Sequence, residues 1–305
     1  MADVLSRGSF FPEELVPDLV KLTRGKSSLA ALCGARPIAF NGQKEFTFTL
    51  DKEVDLVAEN GAKTKGGATI TPVTITPVKV EYGVRVSDEF MCGAENVQMS
   101  ILESFADGFA KKLARGIDIM AFHGVNPRTG TASSVIGTNC FDSKATQTVT
   151  MSASATADAN VEAAVALVNG SDMEVTGMIM APAFRSALAA LTSTDGRKLY
   201  PELAWGNEPG SINGLRVESN STLSANSSLD RALVGDFESC FRWGYAKEIP
   251  MKVIEYGNPD NDSTLGDLQG HNQVYLRAEA YVGWGILAAN AFAFIKAAAP
   301  TQGGG

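Results

Sequence analysis

Residues 95–122 read ENVQMSILESFADGFAKKLARGIDIMAF, and this stretch most restricts what the chain can become. Val97, Ile101, Phe105, Phe109, Leu113 and Ile117 recur every four residues, and Leu102, Ala106, Ala110, Ala114, Met120 and Ala121 widen the stripe. That is helical periodicity. Glu103, Asp107, Lys111, Lys112, Arg115 and Asp118 fall largely on the other side. A helix of this length runs roughly 40 Å and can brace a plate-like domain across its whole width. Gly108 and Gly116 each cost such a helix about 1 kcal/mol relative to alanine. A close neighbouring backbone would account for them, and so would a slight bend.

Ahead of this rod lies a pattern of a different period. Lys44–Leu50 alternates strictly and is rich in β-formers, and Val54–Ala58 extends it. Asn60–Gly67 is a turn-rich tip carrying Lys63 and Lys65, and Ala68–Val86 returns in a second alternating run. Pro72 and Pro77 remove backbone donors, so the returning run is no central strand over its whole length. Two such limbs form a projecting hairpin over 41–86, with too little core to stand alone in water. It must lie on its own body or on a partner. Ser87-Asp88-Glu89 caps a short turn before the rod.

Residues 1–40 do not read as the start of a compact domain. Pro12, Glu13 and Glu14 suit a first helical turn, and Ser27 and Ser28 can cap a second turn through Leu32 that Gly34 stops. Phe10, Phe11, Leu15, Leu19 and Leu22 make the segment sticky. Either it packs on its own domain or it extends as an arm over a neighbouring subunit. Beyond the rod, Asp158–Asn169 is a helix stopped by Gly170, Glu174–Ala181 a buried strand, and Pro182 opens another helix. Gly214–Ser219, Ala232–Gly235, Phe237–Ala246, Val274–Ile286 and Ala291–Lys296 read as strands, and Gly257–Gly270 as a polar loop. Residues 301–305 are expected to be a disordered tail.

A search for chemistry returns little. His123 ends the rod, where its charge suits the helix dipole, and His271 sits in a polar loop. Neither has metal-ligand spacing to Cys, Asp or Glu. Gly283-Trp-Gly285 lacks the third glycine and the helix that a dinucleotide fold needs. Asp260-Asn261-Asp262 begins like a calcium loop, but Leu265 stands where glycine is required. Cys33, Cys92, Cys140 and Cys240 are far apart and read as reduced, buried thiols. No catalytic residue, cofactor or metal is expected. No apolar run reaches a membrane span, and no signal peptide is evident. The formal charge of -8, with no basic run, argues against tight nucleic-acid binding but not against enclosing DNA.

The order of segments resembles the major capsid protein of tailed bacteriophages, the HK97 fold of the phage capsid family. VAENGAKTKGGATITPVTITPVKVEYGVRVSDEF resembles the returning limb of the extended loop and its junction to the spine helix. MIMAPAFRSALAALTSTDGRKLY with GSINGLRVESNSTL resembles the axial domain, and LVGDFESCFRWGYAKEIPMKVIEYG with VYLRAEAYVGWGILAANAFAFIK the closing strands. The resemblance implies an α+β fold with an N-terminal arm (1–40), an extended loop (41–86) and a peripheral domain (87–155) carrying the spine helix. An axial α/β domain (156–250) and returning strands (251–300) follow. It implies a structural role: pentamers and hexamers of the chain closing an icosahedral virion shell around double-stranded DNA, made in the host bacterial cytoplasm. A separate scaffolding protein, a portal and decoration proteins are the expected partners. Phe10, Phe11, Leu15, Lys52, Glu59, Lys63, Lys65, Lys111 and Arg115 are the expected inter-subunit contacts. One branch of the family crosslinks a loop lysine to an asparagine; Lys52, Lys63, Lys65, Asn258 and Asn261 show no matching motif. The alternatives are an encapsulin-like shell around cargo proteins, told apart by neighbouring genes, and a soluble α/β enzyme, told apart by a bound cofactor.

Overall fold

The computed structural model describes residues 27–91, 95–152 and 154–299. Three sheets and one long helix organise them. Strands β1 (Gln43–Leu50) and β2 (Ala68–Ile75) pair antiparallel by themselves, with Phe46 opposite Pro72 and Phe48 opposite Ile70. Strands β3 (Val78–Ser87), β9 (Phe241–Ile254) and β10 (Gln273–Ile286) form an antiparallel sheet in the order β3-β10-β9. A six-stranded mixed sheet takes β4 (Gln147–Thr150), β11 (Phe292–Lys296), β8 (Asp230–Gly235), β5 (Gly177–Met180), β7 (Leu215–Ser219) and β6 (Ser211–Ile212), in that order.

The returning run Ala68–Val86 is therefore two strands, which corrects the single limb expected from its alternation. Thr76-Pro77 separates them: β2 stays on β1, and β3 turns to pair with β10 from Val78–Val282 to Ser87–Gln273. Proline at 77 has no amide to donate, so it stands where the chain changes partner. The hairpin's root is set by Ile75, which is fully buried against Gly283 and Gly285 of β10. A Cβ on Gly285 would lie 2.7 Å from Ile75 Cγ1, so these glycines serve close packing.

The long helix α3 (Glu95–His123) follows the short helix α2 (Asp88–Met91). Its apolar stripe packs as its period dictates, with Phe109, Leu113 and Ile117 buried in one core with Ala278, Ala280, Val282 and Trp284 of β10. From Gly116 to Phe122 the helix is buried on every side. Gly108 faces open space and Gly116 meets Pro127, so neither marks a close backbone approach among the described residues. The core continues through Phe141, Phe237, Phe241 and Phe292; Phe141 and Phe292 meet edge to face at 4.9 Å between centroids.

The six-stranded sheet separates this core from a second one. Ile179, Leu233, Phe292 and Phe294 point to the α3 side. Met178, Met180, Val234 and Ile295 point to helices α5 (Ala157–Asn169) and α6 (Pro182–Ala190). Gly170 caps α5 and Pro182 stands at the start of α6, as helix-end chemistry dictates. The β6–β7 turn is Asn213-Gly214, both with positive φ, the two-residue hairpin for which Asn-Gly is suited.

Part of the expected N-terminal arm belongs to the body. Helix α1 (Ser28–Leu32) buries Leu29, Ala30 and Leu32 in the main core. The Arg36 amide then donates to Trp243 O at 2.9 Å and the Ile38 amide to Tyr245 O at 3.2 Å. Gly244 permits this approach, since a Cβ there would lie 1.7 Å from Arg36 O. Residues 1–26, with Phe10, Phe11 and Leu15, lie outside the described residues, as do Cys92 and the 301–305 tail.

Arg85 of β3 holds the loop before β10. It donates to both Asp260 oxygens at 2.8 and 2.5 Å, to Asn258 Oδ1 at 2.8 Å and to Gly266 O at 2.9 Å. The paired guanidinium pulls the Asp260 carboxyl down to about 2. This tether is complete above the ordinary carboxylate value of 3.8 and is lost as pH falls through about 2. Arg85→Ala should speed amide exchange at Asp262, Gly266 and Leu268 by about tenfold or more while leaving α3 amides unchanged. Exchange mass spectrometry checks it; unchanged loop protection would show that the loop's own turns suffice.

Candidate functional site

Strand register gives the isolated hairpin two unlike faces. Phe46, Phe48 and Leu50 of β1 share a face with Ala68, Ile70 and Pro72 of β2, because directly opposed residues point the same way. Thr47, Thr49, Thr69 and Thr71 lie on the other. The apolar face is bare: Phe46 and Phe48 are each 64% exposed, Leu50 66% and Ile70 58%. Toward the tip Val54 is 95% and Leu56 98% exposed. Among the described residues nothing covers this face, and a two-stranded sheet left so exposed has little stability of its own in water.

The expected contact residues of the loop, Lys52, Glu59, Lys63 and Lys65, are exposed around this tip, and none forms an ion pair among the described residues. Lys111 and Arg115 are exposed on α3. Lys111 pairs with Asp107 one turn earlier, and Arg115 donates to Ser221 Oγ at 3.0 Å. Asn258, once a conceivable crosslink acceptor, is held by Arg85 and donates to Asp262 O at 2.9 Å.

Two polar clusters lie beneath these surfaces; the first corrects the sequence reading and the second adds to it. Asp118, expected on the solvent side of the rod, is fully buried. Its carboxylate accepts from Ser27 Oγ (2.5 Å), Ser28 N (2.9 Å), Ser28 Oγ (2.7 Å), Leu29 N (3.4 Å), Asn220 Nδ2 (3.2 Å) and Thr222 Oγ1 (3.1 Å). Burial pushes this carboxyl above its ordinary 3.8, against the pull of the Ser27, Ser28 and Leu29 donors. Arg216 donates to Ala31 O at 2.7 Å at the other end of α1. An anion at the helix start and a cation at its end both suit the helix dipole.

His123 ends α3 as expected, and it also belongs to the second cluster. His123, Asp142 and Asp230 offer ligand-type atoms within 4.8 Å of one another. Lys296 Nζ sits 3.0 Å from Asp230 Oδ1 and 3.7 Å from Asp142 Oδ1, the carboxylate oxygens turned away from His123. Two cationic groups face two carboxylates, so the set is balanced without an ion. A cleft of about 390 Å³ lies beside α5 and holds Asp158, Glu162, Tyr200, Val161 and Met178. It brings together no nucleophile with a base and an orienting group.

A rod-braced sheet, a mixed α/β layer and a bare-faced hairpin define a shell-building subunit of the HK97 type. The model of the phage capsid family matches residues 8–297, and the chain belongs to that family. It is a structural subunit of a virion capsid, not an enzyme. A structure from Mycobacterium phage Ogopogo is 34% identical, with a TM-score of 0.76, covering 90% of this chain and 92% of that one. One from Gordonia phage Cozz is 24% identical (TM-score 0.74; 90% and 87% covered). The capsid of a native GTA particle, computed with C5 symmetry, is 16% identical (TM-score 0.64; 91% of each covered) and shares the fold. No curated protein matches the chain.

Proposed function

We propose that the hairpin's apolar face is the principal inter-subunit grip of a shell that encloses double-stranded DNA. The observation that carries this is the uncovered row Phe46, Phe48, Leu50 and Ile70. Closed shells need heterologous contacts repeated around each ring, and a projecting hairpin supplies one. The acidic chain, at -8, lets DNA enter and leave without tight binding. The extended loop, peripheral domain and axial domain act as the parts of one tile. Phe10, Phe11, Leu15, Lys52, Glu59, Lys63 and Lys65 contribute further inter-subunit contacts. A separate scaffolding protein, a portal and decoration proteins complete the particle in the host bacterial cytoplasm.

Expression of the chain with its neighbouring phage genes, followed by electron microscopy, tests this reading: hollow particles support it, and a monomer under every condition overturns it. Lys111 and Arg115 form the second contact. Reversing both, Lys111→Glu with Arg115→Glu, should cut particle yield by about tenfold with subunit melting nearly unchanged, since exposed charges contribute little to folding. Normal yield would leave that helix face as solvated surface.

A further inference from the structure

The ring of His123 meets an acceptor on each side. Nδ1 lies 2.8 Å from Asp142 Oδ2, and Nε2 lies 3.1 Å from the Thr222 carbonyl oxygen. A carbonyl oxygen can only accept, so Nε2 carries a proton. A carboxylate also accepts, so Nδ1 carries the other. Both contacts hold together only for the imidazolium. The side chain is 4% exposed, so water does not readily replace either partner.

These partners come from separate parts of the fold. His123 ends α3, Asp142 lies on the short helix α4 (Phe141–Lys144), and Thr222 follows β7. Asp230 of β8 lies 3.8 Å from Nδ1, and Lys296 of β11 joins the two carboxylates. Ser228 Oγ donates to Asp230 at 2.5 Å. The Phe122 ring, 6.1 Å away between centroids, adds no charge. We infer that His123 is a proton-operated latch between the spine helix and the six-stranded sheet, closed when the ring is charged and forced to release Asp142 or Thr222 when it is neutral.

The direction follows from the surroundings. Burial lowers the pKa, but the Asp142 carboxylate and the Thr222 carbonyl outweigh it and hold the ring above its ordinary 6.5. A raised folded pKa means that the latch contributes fully below 6.5 and is lost as pH rises through the higher folded value. Lys296 keeps hold of both carboxylates afterwards, so release loosens the joint without unfolding it. The consequence is a shell whose spine-to-sheet joint is stiffer in acid than in alkali.

The chain has two histidines, so deuterium exchange at the imidazole C2 carbon of assembled particles, read by peptide mass spectrometry, separates His123 from His271. The His123 midpoint should lie above 6.5, and a midpoint at or below that value overturns the latch. Asp142→Asn should move the midpoint down. His123→Gln particles should melt about 2–4 °C below wild type near pH ~6, with the gap closing near pH ~9. A gap constant with pH assigns His123 a packing role only. Should that variant not assemble, the wild-type midpoint alone decides.

Discussion

Asp118→Ala should destabilise the subunit by about 3–5 kcal/mol, enough to lower its melting temperature by roughly 10 °C. The carboxylate is fully buried and serves six donors, so its loss strands the buried Ser27, Ser28 and Thr222 groups. Buried donors without acceptors cost their full desolvation. The damage should be local first. Helix α1 is five residues long and cannot persist alone, so the segment from Ser27 to Ile38 should lose amide protection before the sheets do. Leu29, Ala30 and Leu32 would then leave the core. Asp118→Asn keeps the volume but turns an amide toward the Ser28 N–H or the hydroxyls, so it should lose at least half as much. Calorimetry gives the size, and exchange mass spectrometry gives the place. Unchanged protection over 27–38 would show that apolar packing alone holds the arm.

Asp118 also shows where sequence reading stops. Periodicity placed it among Glu103, Lys111 and Arg115, because a helical wheel assigns charges to water. Its partners are 90 and 91 residues away at Ser28 and Ser27, and no local pattern encodes that meeting. The one local sign was the pair of capping serines, which were legible as caps but not as donors to a distant carboxylate. The cluster around His123 was illegible for the same reason, since Asp142, Thr222, Asp230 and Lys296 converge from four other segments. What is local was legible. The span of α3, the Gly170 stop of α5 and the Pro182 start of α6 follow from rules acting within one or two turns. Order along the chain gave the family, because arm, hairpin, rod and mixed domain succeed one another in few other folds. Strand partnership was half legible: alternation found the run Ala68–Val86 as β structure, but its division into β2 and β3 and the pairing of β3 with β10 needed the tertiary structure.

Phe46→Asp with Phe48→Asp should abolish shell assembly while leaving the subunit folded. The two rings sit side by side on one face of β1 and are each 64% exposed, so the isolated chain gains little from them. Burial against a neighbour contributes about 1.5–3 kcal/mol per ring, roughly 3–6 kcal/mol per contact for the pair. Ten-fold in affinity corresponds to about 1.4 kcal/mol, so each contact should weaken by roughly two to four powers of ten, before the cost of burying two carboxylates is added. Every subunit repeats the contact, so the concentration needed for closed shells should rise beyond reach. Thr47→Asp with Thr49→Asp, on the opposite face of the same strand, is the control. Velocity sedimentation and electron microscopy read assembly, and circular dichroism reads the fold. Shells from the Phe variant would move the grip elsewhere, and loss of assembly in the Thr variant alone would place it on the other face of the hairpin. An unfolded Phe variant would mean that the hairpin lies on its own body.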